Sequence, residues 1–151
     1  MLGTSKNYKE ISETELNDAV GKTQALRLWD QYKFSKTIPD NPALIIMAGY
    51  PLSGKTTLSR AIVENCHDNT LHVESDSIRQ HVAECNGHEL PKFTLTESLN
   101  TFNITHELIR LTLSNNANVI LDATNLQEKW RFDAYIAAEE YDSPVAVILV
   151  R

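Results

Sequence analysis

The sequence has few cysteines and no long run of apolar residues. Its longest apolar stretch is far shorter than a membrane-spanning helix requires, so we predict no membrane partner. The first residues of the chain lack the apolar segment of a secretory signal. The two cysteines, Cys66 and Cys85, are typical of a protein from a reducing compartment. Together these features predict a cytoplasmic protein.

The sequence also has no excess of positive charge. It carries 14 lysine and arginine residues against 20 aspartate and glutamate residues, which gives a formal net charge of −6. Proteins with broad electrostatic affinity for nucleic acid normally present a basic face, so this class is not favoured. The net charge describes the whole surface and is compatible with a small positive pocket that binds one phosphorylated end.

The 151 residues have the size of one domain, and 42% hydrophobic with 23% charged residues is ordinary for a globular protein. The sequence shows no internal repeat and no low-complexity tract. We divide it into an N-terminal helical extension, residues 1–42, and a core, residues 43–151.

One helix is predicted in the extension. Ser12 and Glu15 have the S-x-x-E spacing of a capping box, which marks a helix start. We expect the helix to run from about Glu13 to Phe34, with a weak point at Gly21. This segment carries no chemical motif, so packing on the core is its expected role and binding of a partner is the alternative.

An eight-residue segment matches the P-loop pattern G-x-x-x-x-G-K-[ST]. It is Gly49-Tyr50-Pro51-Leu52-Ser53-Gly54-Lys55-Thr56. Residues 43–48 before it have the apolar sequence of a buried strand, and residues 57–63 after it are typical of a helix. This setting favours a phosphate-binding loop over the alternative, a turn followed by a helix that begins with lysine by chance.

The chemistry of such a loop is specific. Gly49 and Gly54 let the backbone bend so that its N–H groups converge on one anion, and the following helix directs its positive end at the same place. Lys55 is predicted to reach the β- and γ-phosphates of ATP, and Thr56 to bind Mg²⁺ through its hydroxyl. We expect nucleotide contacts from the whole loop: Gly49, Tyr50, Pro51, Leu52, Ser53, Gly54, Lys55, Thr56 and Thr57.

Strands alternate with helices along the core. Residues 71–74 alternate apolar and polar side chains, and residues 119–121 and 144–150 are apolar runs, so three more strands are predicted. We therefore expect a parallel sheet with helices on both faces. Ligands of such sheets bind at the carboxyl ends of the strands. The P-loop, Asp76 and Asp122 follow the first, second and third strands, which predicts a site where they converge.

Asp76 and Arg79 lie three residues apart, on one face of the predicted helix. The carboxylate is suited to accept the proton of an attacking hydroxyl, and the guanidinium to bind a phosphate of the acceptor. The alternative is that Ser75 or Asp76 only caps the helix and that Arg79 is solvated.

Asp122 is followed by Ala123, Thr124 and Asn125. A carboxylate here is the usual acidic partner of Mg²⁺, through its waters, beside a P-loop. It is also placed to orient Arg79, or to accept bonds from loop amides while Thr124 or Asn125 caps the next helix. The histidines at 67, 72 and 106 are expected to be surface or core residues.

Three motifs together resemble the P-loop kinases of the polynucleotide 5′-kinase type, which are related to zeta toxins and small-molecule kinases. They are the P-loop, the pair Asp76-x-x-Arg79, and the strand that ends in Asp122-Ala123-Thr124-Asn125. The resemblance implies a three-layer α/β/α P-loop NTPase fold with strand order 2-3-1-4-5. It implies that Asp76 is the general base and that Arg79 binds the phosphate beside the acceptor hydroxyl. It also implies that Lys55 and Thr56 bind the ATP phosphates and Mg²⁺, and that Asp122 positions Arg79 or the water shell of the metal.

The chain departs from this family after the fourth strand, where such kinases have an arginine-bearing lid and a fifth strand. The apolar strand 145–150 would then lie at an edge, and natural edges are usually protected by charge or proline. We therefore expect the chain to be a fragment of a longer protein, or this edge to be covered by a second chain.

The sequence thus predicts a kinase that moves the γ-phosphoryl group of ATP to a hydroxyl, with a polynucleotide 5′-hydroxyl as the first choice. The alternatives are a kinase of the same fold for a small molecule, such as a nucleoside, a sugar or another metabolite, and a module that binds nucleotide without turnover.

Overall fold

The computed structural model describes residues 12–151, which form five helices and four strands. In chain order the elements are α1 (Glu13–Trp29), β1 (Leu44–Ala48), α2 (Lys55–Asn65), β2 (Thr70–Glu74), α3 (Ser75–Cys85), α4 (Leu95–Ser114), β3 (Asn118–Asp122), α5 (Glu128–Glu140) and β4 (Val145–Leu149).

The four strands make one parallel sheet in the order β2-β3-β1-β4. In its register Leu44 of β1 lies beside Val119 of β3 on one side and Val145 of β4 on the other. The predicted α/β fold and its order 2-3-1-4 are confirmed. This order puts β1 and β3 in the middle, so the P-loop and Asp122 follow neighbouring strands.

The core lies on the two central strands. Leu44, Ile46, Val119 and Ile120 are each 0% exposed, as expected for apolar strands that are covered on both faces. Helix α2 packs against β1, β2 and β3, whereas α4 packs against β2 and β3 and also contacts α1, α3 and α5. Ala25 of α1 belongs to the same core cluster as these strands, so α1 packs on the rest of the fold.

The edge strand β4 differs from the central strands. Its Val145, Val147 and Leu149 are 40%, 46% and 52% exposed, although they are as apolar as the residues of β1. The predicted edge position of this strand is confirmed, and its apolar side chains lie at the surface.

The predicted helix 13–34 is too long. The capping box is confirmed, since Ser12 N–H donates to Glu15 Oε2 (2.9 Å) and Glu15 N–H donates to Ser12 Oγ (3.2 Å). The helix, however, ends at Trp29, after which the chain turns so that the Phe34 ring lies 5.4 Å from the Trp29 ring. Gly21 does not interrupt α1, because it is buried where α1 meets α4.

The alternative in which the side chains after β2 and β3 cap α3 and α5 does not agree with the structure. Glu74 occupies the N-cap position of α3, and Ser75 and Asp76 lie in its first turn. Gln127, and neither Thr124 nor Asn125, occupies the N-cap position of α5. These side chains are therefore not used as caps, and those of Asp76 and Thr124 remain available at the strand ends.

Within residues 12–151, no helix has the length and apolar character needed to cross a membrane.

Candidate active site

The P-loop links the end of β1 to the start of α2. Gly54 occupies the N-cap position of α2 with φ +95°, a conformation that suits glycine. At Gly49 a Cβ atom would lie 2.7 Å from the carbonyl oxygen of Val150, so no larger residue fits beside β4. Leu52 at the tip also has a positive φ of 64°, and its side chain is fully exposed. The loop backbone is thus held in a strained turn that opens on the N-terminus of α2.

The loop borders a cavity of about 480 Å³. Six of the nine predicted nucleotide-binding residues line it, namely Pro51, Leu52, Gly54, Lys55, Thr56 and Thr57. Gly49, Tyr50 and Ser53 do not. The Lys55 ammonium donates to the carbonyl of Tyr50 (2.8 Å), and Gly49 N–H donates to the carbonyl of Thr124 (3.0 Å).

Ser53 has a buried hydroxyl with no hydrogen-bond partner in the part of the chain that the structure describes. An orphaned polar atom in this position is consistent with a loop that is completed by a ligand. The N–H groups in the first turn of α2, which have no partner within the helix, and the Lys55 ammonium fit an anion of the size of a phosphate chain.

Asp122, at the end of β3, is 3% exposed and faces the start of α2. Its Oδ2 atom lies 2.9 Å from Nε2 of His72, and its carboxylate also accepts a bond from Thr56. Burial raises the pKa of the Asp122 carboxyl. The hydrogen bonds from His72 and Thr56, with the charges of His72 and Lys55, outweigh burial, and the net pKa is lowered. The carboxylate is therefore ionised at neutral pH.

The pair of Thr56 and Asp122 fits a hard cation. A hydroxyl and a carboxylate are oxygen donors of the kind that Mg²⁺ prefers, and Mg²⁺ usually keeps several waters beside one or two protein oxygens. Asn125 does not join them, because its side-chain amide donates to the carbonyl of Met47 (3.0 Å) and ties the β3–α5 loop to β1.

A second cavity, of about 460 Å³, adjoins the first. The two share Ser75, Asp76 and Thr124, so Asp76 lies where they meet. Asp76 is exposed, and its carboxylate makes no hydrogen bond or ion pair with any residue from 12 to 151. An unpaired carboxylate at the junction of two cavities is free to contact a ligand in either of them.

The wall of the second cavity is aromatic. It includes Phe93, Phe102, His106 and Trp130, which come from the segment before α4, from α4 and from α5. The Phe102 ring is nearly parallel to the Trp130 ring, at 5.8 Å between centroids, and to the His106 ring, at 6.1 Å. Burial is the main cause that lowers the pKa of His106, so this ring is neutral at physiological pH.

Arg79 lies in the same wall, one turn after Asp76 on α3. Its Nη1 atom donates to Ser98 Oγ (3.0 Å) and lies 3.5 Å from Glu97 Oε1, while the guanidinium lies 4.8 Å from the centre of the Phe93 ring. The alternative in which Asp122 orients Arg79 does not agree with this geometry, because Asp122 pairs with His72 and Thr56 instead.

The structure thus brings Lys55, Thr56, Asp76 and Asp122 to one cavity, and Asp76 and Arg79 to the next. Sequence patterns do not reveal the contact of His72 with Asp122 or that of Glu97 with Arg79, because the two partners lie on different elements. Phe102 and Trp130 lie on the helices α4 and α5 and are 38% and 47% exposed. Their position at the mouth of a cavity follows from the angles between helices, which periodicity does not give.

The sequence model of a family described as "AAA domain" matches residues 44–151. No curated protein matches the chain. Among solved structures, a chain of the Pnkp1/Rnl/Hen1 complex is 26% identical with a TM-score of 0.59, and the match covers 78% of this chain and 38% of that one. The present chain therefore spans well under half of that relative.

Two further structures share the fold at lower identity. One, from the PezAT toxin–antitoxin system of Streptococcus pneumoniae, is 15% identical with a TM-score of 0.65, over 93% of this chain and 57% of that one. The other is the Mycobacterium tuberculosis APS kinase CysC in complex with AMPPNP and APS. It is 13% identical with a TM-score of 0.56, over 75% of this chain and 64% of that one. The predicted resemblance to P-loop kinases is confirmed.

Proposed function

This chain belongs to the AAA domain family of P-loop proteins, and we propose that it is an ATP-dependent kinase that phosphorylates a hydroxyl group. One observation carries the proposal: the P-loop cavity and the aromatic cavity meet at the unpaired carboxylate of Asp76. A kinase needs a donor phosphate and an acceptor hydroxyl on either side of one base, and this arrangement offers both positions.

The nucleotide occupies the P-loop cavity in this proposal. The backbone N–H groups at the start of α2, from Gly54 to Thr57, donate to the phosphates, and Lys55 exchanges its bond to the Tyr50 carbonyl for phosphate oxygens. Thr56, and Asp122 through water, would hold Mg²⁺. When bound, this ion neutralises the charge of the β- and γ-phosphates.

The acceptor occupies the aromatic cavity. Asp76 takes the proton of its hydroxyl, whose oxygen bonds to the γ-phosphorus while the bond from that phosphorus to the β–γ bridging oxygen breaks. ADP and the phosphorylated acceptor are the products. Arg79 binds a phosphate next to the reacting hydroxyl through the donors that Glu97 and Ser98 leave unused.

A polynucleotide 5′-hydroxyl is the acceptor that we propose first. Its terminal nucleotide has a planar base for the aromatic wall and a neighbouring phosphate for Arg79, so one ligand uses both features of the cavity. The 26% identity to a chain of the Pnkp1/Rnl/Hen1 complex supports this choice.

A small-molecule acceptor is the second candidate. The net charge of −6 favours it, because a long nucleic acid is repelled by an acidic surface. A nucleoside or another metabolite with a ring fills a cavity of about 460 Å³ without meeting that surface.

The test is a transfer assay with γ-labelled ATP and Mg²⁺. A single-stranded 5′-hydroxyl oligonucleotide is compared with the same strand carrying a 5′-phosphate and with a panel of nucleosides and sugars. We expect label on the 5′-hydroxyl strand only. Label on a panel member alone supports the second candidate. Binding of ATP with no labelled product from any acceptor contradicts the kinase proposal and identifies the chain as a nucleotide-binding module.

The proposal also covers the division of the chain and the exposed edge of its sheet. We propose that residues 1–42 form an extension of a kinase core at 43–151, and that the apolar edge of β4 pairs with a second chain or with a further part of a longer protein. Light scattering of the chain and of a Val147→Lys variant tests the second point for self-association. A monomer at all concentrations excludes a second copy at this edge.

A further inference from the structure

Glu97 is a buried carboxylate that the proposed chemistry does not use. It lies in the first turn of α4 and is 3% exposed. Its two oxygens accept the backbone N–H groups of Lys92 (3.0 Å) and Phe93 (3.1 Å), which precede the helix. Charged side chains are rarely buried without partners, so these bonds explain how the carboxylate is tolerated there.

The same carboxylate reaches across to α3. Glu97 Oε1 lies 3.5 Å from Nη1 of Arg79, and Ser98, the next residue of α4, accepts a hydrogen bond from that same nitrogen at 3.0 Å. Phe93, whose N–H the carboxylate holds, places its ring 4.8 Å from the guanidinium. One acidic side chain therefore fixes both Arg79 and the aromatic ring beside it.

The contacts leave a defined part of Arg79 free. The two polar contacts, with Ser98 and Glu97, use Nη1. Nε and Nη2 have no hydrogen-bond partner in residues 12–151, although Arg79 lines the aromatic cavity. A guanidinium presents its donors as a planar fork, so fixing one nitrogen sets the direction of the others. A side chain without this anchor would sample several rotamers, and an acceptor would have to order it on binding.

We infer that Glu97 is a positioning residue of the acceptor site, which orients Arg79 and Phe93 toward a phosphate-bearing ligand in the aromatic cavity. The inference rests on the proposed function, because it assumes that this cavity receives the acceptor. The competing explanation is that Glu97 only anchors the backbone of residues 92–93 at the start of α4.

Steady-state kinetics of Glu97→Gln with the 5′-hydroxyl oligonucleotide separate these explanations. Positioning predicts that the KM for the acceptor rises about ten- to a hundredfold while the affinity for ATP stays unchanged. Thr94→Ala is the matched control, because Thr94 Oγ1 accepts Glu97 N–H (3.2 Å) at the same helix end and makes no contact with Arg79. The Thr94→Ala variant should be less stable than the wild type and should have the same KM for the acceptor. An unchanged KM in Glu97→Gln overturns the inference.

A double-mutant cycle with Arg79→Ala tests whether Glu97 acts through Arg79. Glu97→Gln should raise the KM much less in the Arg79→Ala background than in the wild type. A full-sized effect in that background overturns the inference. Circular dichroism checks folding first, and Glu97→Asp, which keeps the charge but shortens the side chain, replaces Glu97→Gln in every step if that variant does not fold.

An NMR measurement makes the result independent of turnover. The ¹⁵N relaxation of Arg79 Nε–H should report an ordered side chain in the wild type and in Thr94→Ala, and a mobile one in Glu97→Gln. Equal order in all three overturns the inference even if the protein is a kinase. If no acceptor is phosphorylated by the wild type, the proposed function fails, and the NMR comparison alone decides whether Glu97 positions Arg79.

Discussion

The two cavities that meet at Asp76 are built in different ways. The first is shaped by consecutive backbone, residues 49–57, with its turn held by positive φ angles at Leu52 and Gly54. The second is shaped by side chains from α3, α4, α5 and the loop after β3. Backbone N–H groups bind phosphate whatever the neighbouring side chains are, whereas a wall of side chains changes its ligand with each substitution.

This difference has a consequence for experiment. The P-loop cavity is expected to bind nucleotide as long as its glycines and Lys55 are kept. The aromatic cavity, as the proposed acceptor site, is expected to set the choice of substrate, because Phe93, Phe102 and Trp130 contribute nothing to the P-loop. Substitutions should therefore separate into those that affect ATP and those that affect the acceptor.

The largest effect is expected at the shared residue. Asp76→Asn should lower transfer about 10²- to 10⁴-fold, because the amide cannot accept the proton of the hydroxyl, and should leave the affinity for ATP nearly intact. Single-turnover transfer and calorimetry measure the two quantities. Glu74→Gln is the control, since Glu74 lines the first cavity and not the second. Full activity in Asp76→Asn would remove Asp76 as the base.

A change on the donor side should affect ATP itself. Lys55→Ala should weaken ATP binding and lower transfer by about 10²- to 10³-fold, because a charged donor to the phosphates is lost. Calorimetry with ATP and Mg²⁺ checks the binding, and Lys33→Ala, an exposed lysine outside both cavities, is the control. Unchanged affinity in Lys55→Ala would contradict the assignment of the P-loop.

A change on the acceptor side should leave ATP binding alone. Trp130→Ala should raise the KM for the oligonucleotide about tenfold, because one base loses its stacking contact. Phe132→Ala is a close control, since Phe132 is 59% exposed on the same helix and does not line the cavity. If both variants behave alike in the acceptor titration, the aromatic wall does not bind the acceptor.

The smallest expected effect concerns the stability of the acceptor wall. The pKa of the Glu97 carboxyl is lowered from its ordinary value of 4.5, first by the hydrogen bond from Lys92 N–H, against burial, and then by Phe93 N–H and Arg79. A lowered pKa in the folded state means that ionised Glu97 stabilises the fold above pH 4.5, and that this contribution disappears as the pH falls through the folded value.

Denaturant unfolding of the wild type and of Glu97→Gln at several pH values measures this contribution. The difference in unfolding free energy should be greatest near neutral pH and should shrink below pH 4.5. A difference that does not depend on pH would mean that the charge of Glu97 has no role in folding.

The donor side could be predicted from the sequence because its geometry is local. The eight residues of the P-loop determine both the turn and the helix that follows. The sheet order that places Asp122 beside the loop was implied by the resemblance to P-loop kinases, and the structure confirms it. The acceptor side could not be predicted to the same depth. Arg79 was identified, but its partners Glu97 and Ser98 lie 18 and 19 positions further along the chain and meet it only when α3 packs on α4.

The end of α1 could also not be predicted from local sequence signals. The residues after Trp29 continue a plausible helical pattern, but the helix ends there, and the Phe34 ring lies 5.4 Å from the Trp29 ring. Both rings pack against the hydrophobic core, and this packing depends on elements far along the chain.

The most direct test of the account is a crystal structure with a non-hydrolysable ATP analogue, Mg²⁺ and a 5′-hydroxyl oligonucleotide. The account predicts the triphosphate in the P-loop cavity and the terminal base in the aromatic cavity, with the 5′-oxygen at about 2.6–3.2 Å from an oxygen of Asp76. A triphosphate bound elsewhere, or an oligonucleotide whose 5′-oxygen lies out of reach of Asp76, would contradict it.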